Sequence, residues 1–490
     1  MIGTPSPDAV DHLLVGGLAA AVVAPLVGAT LATQPFMARW VRPVAVASSS
    51  TSLVAALVVA GAWRVAGGQP FSTGPALGGG QAVFVDGLSA ALLPYAALIG
   101  TAVLLVAPRR ALDAAAVKGT LLGLSATLAL FATAHPFVLL GLWFLTAWPT
   151  WRSTRGTPGG RAAARVFAIY MSAALGCMTV GTCLLVADPP WERPGGMMGA
   201  CGGWFVAVAV LIRKGIVPFH SWYPALFSGA PMSTALMATM PQVAAYTAVR
   251  LLVGHAEDVP HELEWMSALA LCTAVYGAAL ALVQRHLRGF IGAFSMSQSA
   301  LVLAGLSGQL PLELTGAFCV WISSGLAITG IGLVSWALES RAGDISLDRL
   351  EGRFWDAPAL AAFFLLFGMA AIGLPGTLSF VADDLIVAGS LDVHLAAGFL
   401  VIASAVLCGI ATMRSWFHVF GGPRAPESPN HAVLGRERLS FTVLLASLFV
   451  LGVWPEPLVQ SLEDAAEQIL HVPFDDHPRP HDPPVPHPAP

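Results

Sequence analysis

Apolar runs of about 20 residues, separated by short polar or basic stretches, recur along nearly the whole chain. A run apolar on every face, at 1.5 Å of rise per residue, matches the thickness of a bilayer core. The pattern predicts about fourteen spans, near 12–34, 43–66, 87–107, 115–134, 136–151, 164–187, 197–217, 231–254, 265–284, 289–308, 314–338, 358–379, 395–418 and 439–456. Two runs continue past a helix breaker: 218–228 after Pro218, and 380–390 after Gly376. Proline removes a backbone donor and clashes with the preceding turn. The seventh and twelfth spans are therefore predicted to be interrupted. Met1 to Asp11 lack a basic residue and no small-residue cleavage pattern follows the first run, so no cleavable signal peptide is expected.

Composition agrees with the pattern. Of 490 residues, 56% are hydrophobic and 11% charged, against about 25% charged in soluble domains. So few charges could not cover a soluble surface of this size. The expected class is an all-α polytopic membrane protein whose surroundings are the lipid bilayer. A nucleic-acid binder, a secreted disulfide scaffold and a disordered chain are excluded, and a net charge of −4 adds nothing. The six cysteines are scattered through apolar segments without a CxxC or a Cys/His cluster. They read as small packed or lipid-facing residues, with no metal, cluster or disulfide expected.

About 16 arginines fall on odd-numbered loops and about three (Arg64, Arg193, Arg250) on even ones. The positive-inside rule then places odd loops in the cytoplasm and both termini on the outer face. The acidic loop with Glu257, Asp258, Glu262 and Glu264 falls outside. From about residue 472 the tail is rich in Pro and His and is expected to be disordered, with His477, His481 and His487 too loosely held to pre-organise a metal site.

Charges inside spans cost at least about 2.5–3.5 kcal/mol each on insertion scales, so the few present are the functional candidates. Arg213 and Lys214 end an apolar run just before Pro218, and His220 follows two residues after it. Broken helices are tolerated where the freed backbone lines protein or a water-filled cavity, and ion sites in transporters use them. The alternative for the two cations is snorkelling to an interface. Asp383 and Asp384 follow the second break, as a proton-carrying pair or as an interfacial turn pair. His135, Arg250, His286 and Arg288 sit at predicted helix ends and read as interface anchors. No nucleotide-binding or nucleophile motif occurs in a credible context, so the chain is expected to bind no cofactor and to perform no covalent chemistry.

The segment IRKGIVPFHSWYPALFSGAPMSTAL (212–236) resembles the central segment of the antiporter-like membrane subunits of respiratory complex I, related hydrogenases and Mrp-type cation/proton antiporters. QVAAYTAVRLL (242–252), LRGFIGAFSMSQSALVLAGL (287–306), WISSGLAITGIGLVSWALESRAGDISL (321–347), GLPGTLSFVADDLIV (373–387) and LGVWPEPL (451–458) continue the match over most of 85–460. The resemblance implies fourteen helices with two inverted five-helix repeats, each holding one broken helix. It divides the chain into N-terminal helices (1–110), a first repeat (111–254), a second repeat (255–420), a C-terminal helix with an amphipathic end (421–471) and the tail (472–490).

It also implies a central axis of Lys, Glu and His along which protons pass, and here this sequence departs from it. Phe144 follows Trp143 where the fifth helix has Glu, Gln242 stands for a Lys or His on the eighth, and Ser324 for a His on the eleventh. Arg213 matches the seventh-helix Lys by its distance to Pro218, with Lys214 beside it, and Asp383 matches the charged residue of the twelfth. Arginine stays protonated and cannot carry a proton, whereas lysine can. Gln242 and Ser324 can order water but hold no charge.

The reading implied is a proton-conducting, itself non-catalytic subunit of a redox-driven NADH–quinone oxidoreductase-like complex. It would sit in a bacterial-type inner membrane among other membrane subunits and move protons or Na+, with redox cofactors held elsewhere. Two other readings stand beside it: an inorganic-carbon uptake subunit of the DabB type, and a structural subunit that no longer conducts.

Overall fold

The computed structural model describes residues 7–77, 80–188, 196–256, 259–308, 310–393, 395–423 and 432–470. The Pro/His tail with His477, His481 and His487, the acidic pair Glu257 and Asp258, and the loop arginines Arg193 and Arg424 lie outside the described residues.

The helices run α1 Pro7–Leu31, α2 Val41–Val65, α3 Gly87–Val106, α4 Ala114–Leu130, α5 Pro136–Gly156, α6 Arg161–Ala187, α7 Met197–Lys214, α8 Trp222–Gly229 and α9 Met232–Thr239. They continue with α10 Val243–Leu251, α11 Pro260–Leu282, α12 Leu287–Leu306, α13 Pro311–Ala342, α14 Pro358–Ala370, α15 Leu378–Val393, α16 Leu395–Phe420, α17 Gly435–Val453 and α18 Glu456–Leu470. Helical structure stands at each of the fourteen predicted positions. By length and composition, ten spans among the described residues can cross a membrane, or eleven if α17 and α18, bent by 76°, count as one. The others are shorter or more polar: α4 and α14 have 17 and 13 residues, and α5 carries Arg152 and Arg155 in its last turns.

One element escapes the all-helical expectation. Between α2 and α3 lies an antiparallel hairpin, β1 Phe71–Leu77 with β2 Gly80–Val85. Its sequence signal is the glycine run at 78–80 between alternating segments.

Local chemistry starts the helices where the spans begin. Asp86 caps α3 by accepting from Ser89 N–H at 2.9 Å, and Asp113 caps α4 from Ala116 N–H at 2.8 Å. His135 caps α5 through its ring Nδ1, with Pro136 in the first helical position, so it is a buried cap rather than an interface anchor.

Burial separates centre from rim. The apolar windows of α12 and α13 are wholly buried, whereas those of α1, α2 and α6 are only 28% buried and face outward. α13 is the hub. Close approach to four neighbours falls on its glycines: Gly316 against Ile386 of α15, Gly325 against Tyr95 of α3, Gly330 against Phe367 of α14 and Gly332 against Leu236 of α9. A Cβ at Gly316 would come to 2.7 Å from the Ile386 nitrogen, and one at Gly332 to 2.9 Å from the Leu236 side chain. Ion pairs add cross-links, Arg288–Glu339 at 2.7 Å and Arg341–Glu437 at 2.6 Å. Arg288 thus ties α12 to α13 instead of anchoring at an interface. His286 remains exposed beside Asp344.

Candidate functional site: a buried lysine between broken helices

The first predicted interruption separates α7 from α8. Gly215 takes the left-handed conformation (φ 70°), and the N–H groups of Gly215 and Ile216 close α7 on the carbonyls of Ile212 and Leu211. Backbone freed by the break finds side-chain partners: Trp222 Nε1 donates to Ile212 O at 2.8 Å, and Val217 N–H donates to Thr273 Oγ1 at 3.0 Å. The second interruption separates α14 from α15, with Gly373 and Gly376 both at φ 88°.

A third break lies inside the eighth predicted span, between α9 and α10. There Gln242 is the one non-glycine residue with positive φ (52°) among the described residues. Tyr95 Oη donates to Met240 O at 2.6 Å and Trp321 Nε1 to Pro241 O at 3.2 Å, so the carbonyls released by the break are satisfied from α3 and α13.

These breaks bring Lys214 and Gln242 together. Lys214 is 2% and Gln242 6% exposed, and Lys214 Nζ donates to Gln242 Oε1. Lys214 also ends α7, where the C-terminal partial charge of the helix favours a cation.

Successive helical residues point about 100° apart, and Arg213 accordingly turns to α5. Its Nη1 donates to Trp143 O at 2.8 Å, its Nη2 to Thr146 Oγ1, and its guanidinium lies 4.7 Å from the Trp143 ring centroid. Spacing to Pro218 favours Arg213 as the axial cation, but the geometry puts Lys214 against Gln242. Phe144 does not oppose either cation. It is 46% exposed on the outer side of α5 and packs on Trp148 at 5.7 Å.

Two cavities meet at this point. The larger is lined from α4, α5, α6, α7, α8, α9 and α10 and reaches Arg213. The smaller is lined by Lys214, Gln242, Tyr223, Thr239 and Ser299 among others. Arg213, Trp222, Ala238 and Val243 wall both.

The remaining candidates are more dispersed. His220, in the break segment, pairs through Nε2 with Tyr276 of α11 at 3.3 Å, not with Lys214 or Gln242. Ser324 is buried in the middle of α13, its hydroxyl without a protein partner among the described residues. Asp383 and Asp384 separate: Asp383 is half-buried, its Oδ2 2.7 Å from where a Cβ on Gly373 would stand, while Asp384 is exposed.

Several polar groups on this central layer escape the sequence reading. Ser299 lines the Lys214 cavity from α12. One residue earlier, Gln298 Nε2 contacts Cys408 Sγ at 3.8 Å, and Ser297 Oγ lies 3.5 Å from the same sulfur. The signal was the polar run SMSQS (295–299) within an otherwise apolar span. Glu313, at the start of α13, is a further buried carboxyl that accepts from Ser390 Oγ at 3.1 Å.

The Arg250 side chain is only 7% exposed, and differs from the expected interface anchor. It grips Asp86 with two hydrogen bonds of 2.7 and 2.8 Å and reaches Ser89 at 3.1 Å. Its guanidinium lies between the rings of Tyr246 (4.6 Å) and Phe84 (4.9 Å). Burial pushes the Asp86 carboxyl up, but the Arg250 charge outweighs it and holds the group below the usual carboxylate range.

Fold and site together define a polytopic membrane protein with broken helices around a buried polar centre. Residues 167–410 match the family model described as NADH:quinone oxidoreductase/Mrp antiporter, TM. NADH-quinone oxidoreductase subunit M of Pseudomonas aeruginosa is 30% identical over 269 residues, 52% of this chain and 51% of that protein. The subunit M of Mycobacterium tuberculosis is 26% identical over 266 residues, 54% of this chain and 48% of that protein. The chain therefore spans about half the length of the curated relatives it matches. A chain of respiratory complex I from Thermus thermophilus has the same fold, with a TM-score of 0.82 and 20% identity, covering 93% of this chain and 99% of that one. A chain of the Mrp complex of a Dietzia species follows at 0.79 and 18%, covering 93% and 97%. The chain belongs to the antiporter-like membrane-subunit family of complex I, Mrp antiporters and their relatives.

Proposed function

We propose that the chain is a proton-translocating membrane subunit of a multi-subunit, redox-driven complex of the NADH–quinone oxidoreductase type. The observation that carries this reading is Lys214, a buried lysine held by a neutral acceptor where two helix breaks and two cavities meet. Lysine can bind and release a proton there, and Arg213 cannot. Gln242 accepts a hydrogen bond from the ammonium without pinning it by charge, so Lys214 can exchange its proton with water in the adjoining cavities. Ser299, Gln298 and Cys408 continue the polar layer beyond Lys214, and Asp383 is the carboxyl on which the second half of the path ends in this reading. Asp384, His220 and Ser324 are left to shape the surroundings.

In this reading the chain lies in a bacterial inner membrane with its arginine-rich loops inside and both termini outside, and redox cofactors belong to other subunits. The inorganic-carbon reading draws no support from the relatives and is not carried forward. The retained Lys214 and Asp383 speak against a purely structural subunit.

The test is quinone-linked proton pumping by the intact complex in proteoliposomes. Lys214→Met and Asp383→Asn should each lower the protons moved per electron while electron transfer continues. An unchanged ratio in both variants would overturn the proposal.

A further inference from the structure

The larger cavity has a one-sided charge. Among the described residues that line it the single formal charge is Arg213, and no described Asp or Glu lines this cavity or its neighbour. No carboxylate pairs with Arg213 among the described residues, and its partners are a carbonyl, a hydroxyl and a ring face. A cation at membrane depth without a counter-charge is costly.

The rest of the lining is rich in hydroxyls: Thr120 and Thr127 from α4, Thr146, Thr150 and Ser153 from α5, and Thr234 from α9. Residues 146, 150 and 153 recur at helical spacing and make one continuous polar face. At its end Ser153 and Thr234 hydrogen-bond to each other at 2.8 Å. Beyond it stand the exposed Arg152, Arg155, Arg161 and Arg165, a basic surround that concentrates anions.

We infer that this cavity is a binding site for a small monovalent inorganic anion, chloride or bicarbonate, seated against the Arg213 guanidinium. The hydroxyls of Thr120, Thr127 and Thr146 donate to carbonyls of their own helices. Rotation about the Cβ–Oγ bond re-aims each proton at an anion. A bound anion supplies the negative charge that the cavity wall lacks, one residue from Lys214. A divalent anion does not suit the site, since one guanidinium faces it.

Binding is measured on the purified full-length protein in mild detergent, in gluconate buffer, with 36Cl− as the probe. It is independent of proton pumping, so its failure and the failure of the proposed function are distinguishable. The wild-type protein should bind about one chloride per chain, saturably. Loss of a hydrogen-bonded charge predicts affinity about tenfold or more lower in Arg213→Gln, with Arg213→Lys restoring part of it. Thr150→Val keeps the side-chain shape and should weaken binding several-fold, which guards against a folding defect at Arg213. Displacement by bicarbonate marks bicarbonate as a ligand, and resistance marks the site as one for halide. Absence of saturable chloride binding in the wild type, or equal binding in the wild type, Arg213→Gln and Thr150→Val, would overturn the inference.

Discussion

The Asp86–Arg250 pair closes the hairpin and the start of α3 onto the end of α10 across 164 positions of sequence. Removing one partner of a buried pair leaves the other charge uncompensated, at a cost of about 3–5 kcal/mol. Asp86→Asn should therefore lower the thermal unfolding midpoint in detergent markedly. The pH dependence follows from the depressed carboxyl. The stabilisation is fully present above the unfolded value of about 3.9 and is lost only as pH falls through the still lower folded value. In a melting series the wild-type advantage over Asp86→Asn should stay constant from pH 8 to about pH 5 and shrink below about pH 4. Neither residue announces this partnership in sequence. Arg250 sits at a helix end like any headgroup anchor, and only the fold brings Asp86 to it. Lys214 was legible as a charge beside a breaker, but its orientation was not, because one residue of helical phase decides which cation faces Gln242.

Interrupted helices are the elements that make the site, and they were unequally visible. Pro218 and Gly376 stand where apolar runs pause, so those breaks could be read directly. Pro241 lies within a run that stays apolar on both sides, and its break emerges only because Tyr95 and Trp321 arrive from distant helices to satisfy the carbonyls. Gly215 sets the first break. A Cβ there would stand 2.8 Å from the Tyr223 ring, in a backbone region that costs an L-residue about 1–2 kcal/mol. Gly215→Ala should thus either lower the unfolding midpoint or rotate the end of α7. The second outcome is readable as altered reactivity of a cysteine placed at Lys214. A variant with wild-type stability and unaltered reactivity at that position would count against this account of the break.

At the scale of the whole molecule, outward-facing helices such as α1, α2 and α6 surround a centre that lipid never touches. The structures that share the fold are those of complex I, an Mrp complex and a membrane-bound sulfane sulfur reductase complex, and the proposed function makes this chain a subunit of such an assembly. Mild-detergent purification of the tagged chain, followed by mass spectrometry, should recover other membrane subunits with quinone-linked partners. Recovery of the chain alone would count against the redox-driven assignment.

The glycine contacts of α13 have a mechanical consequence. Four neighbours are keyed into one shaft at separate heights, so sliding it by a single residue, about 1.5 Å, would drive side chains into all four notches at once. The shaft is therefore stiff along its length, and compliance is left to the joints, at Gly215, Gln242 and Gly376. A stroke passing through this molecule would bend it at those joints, and two of the three adjoin the lysine.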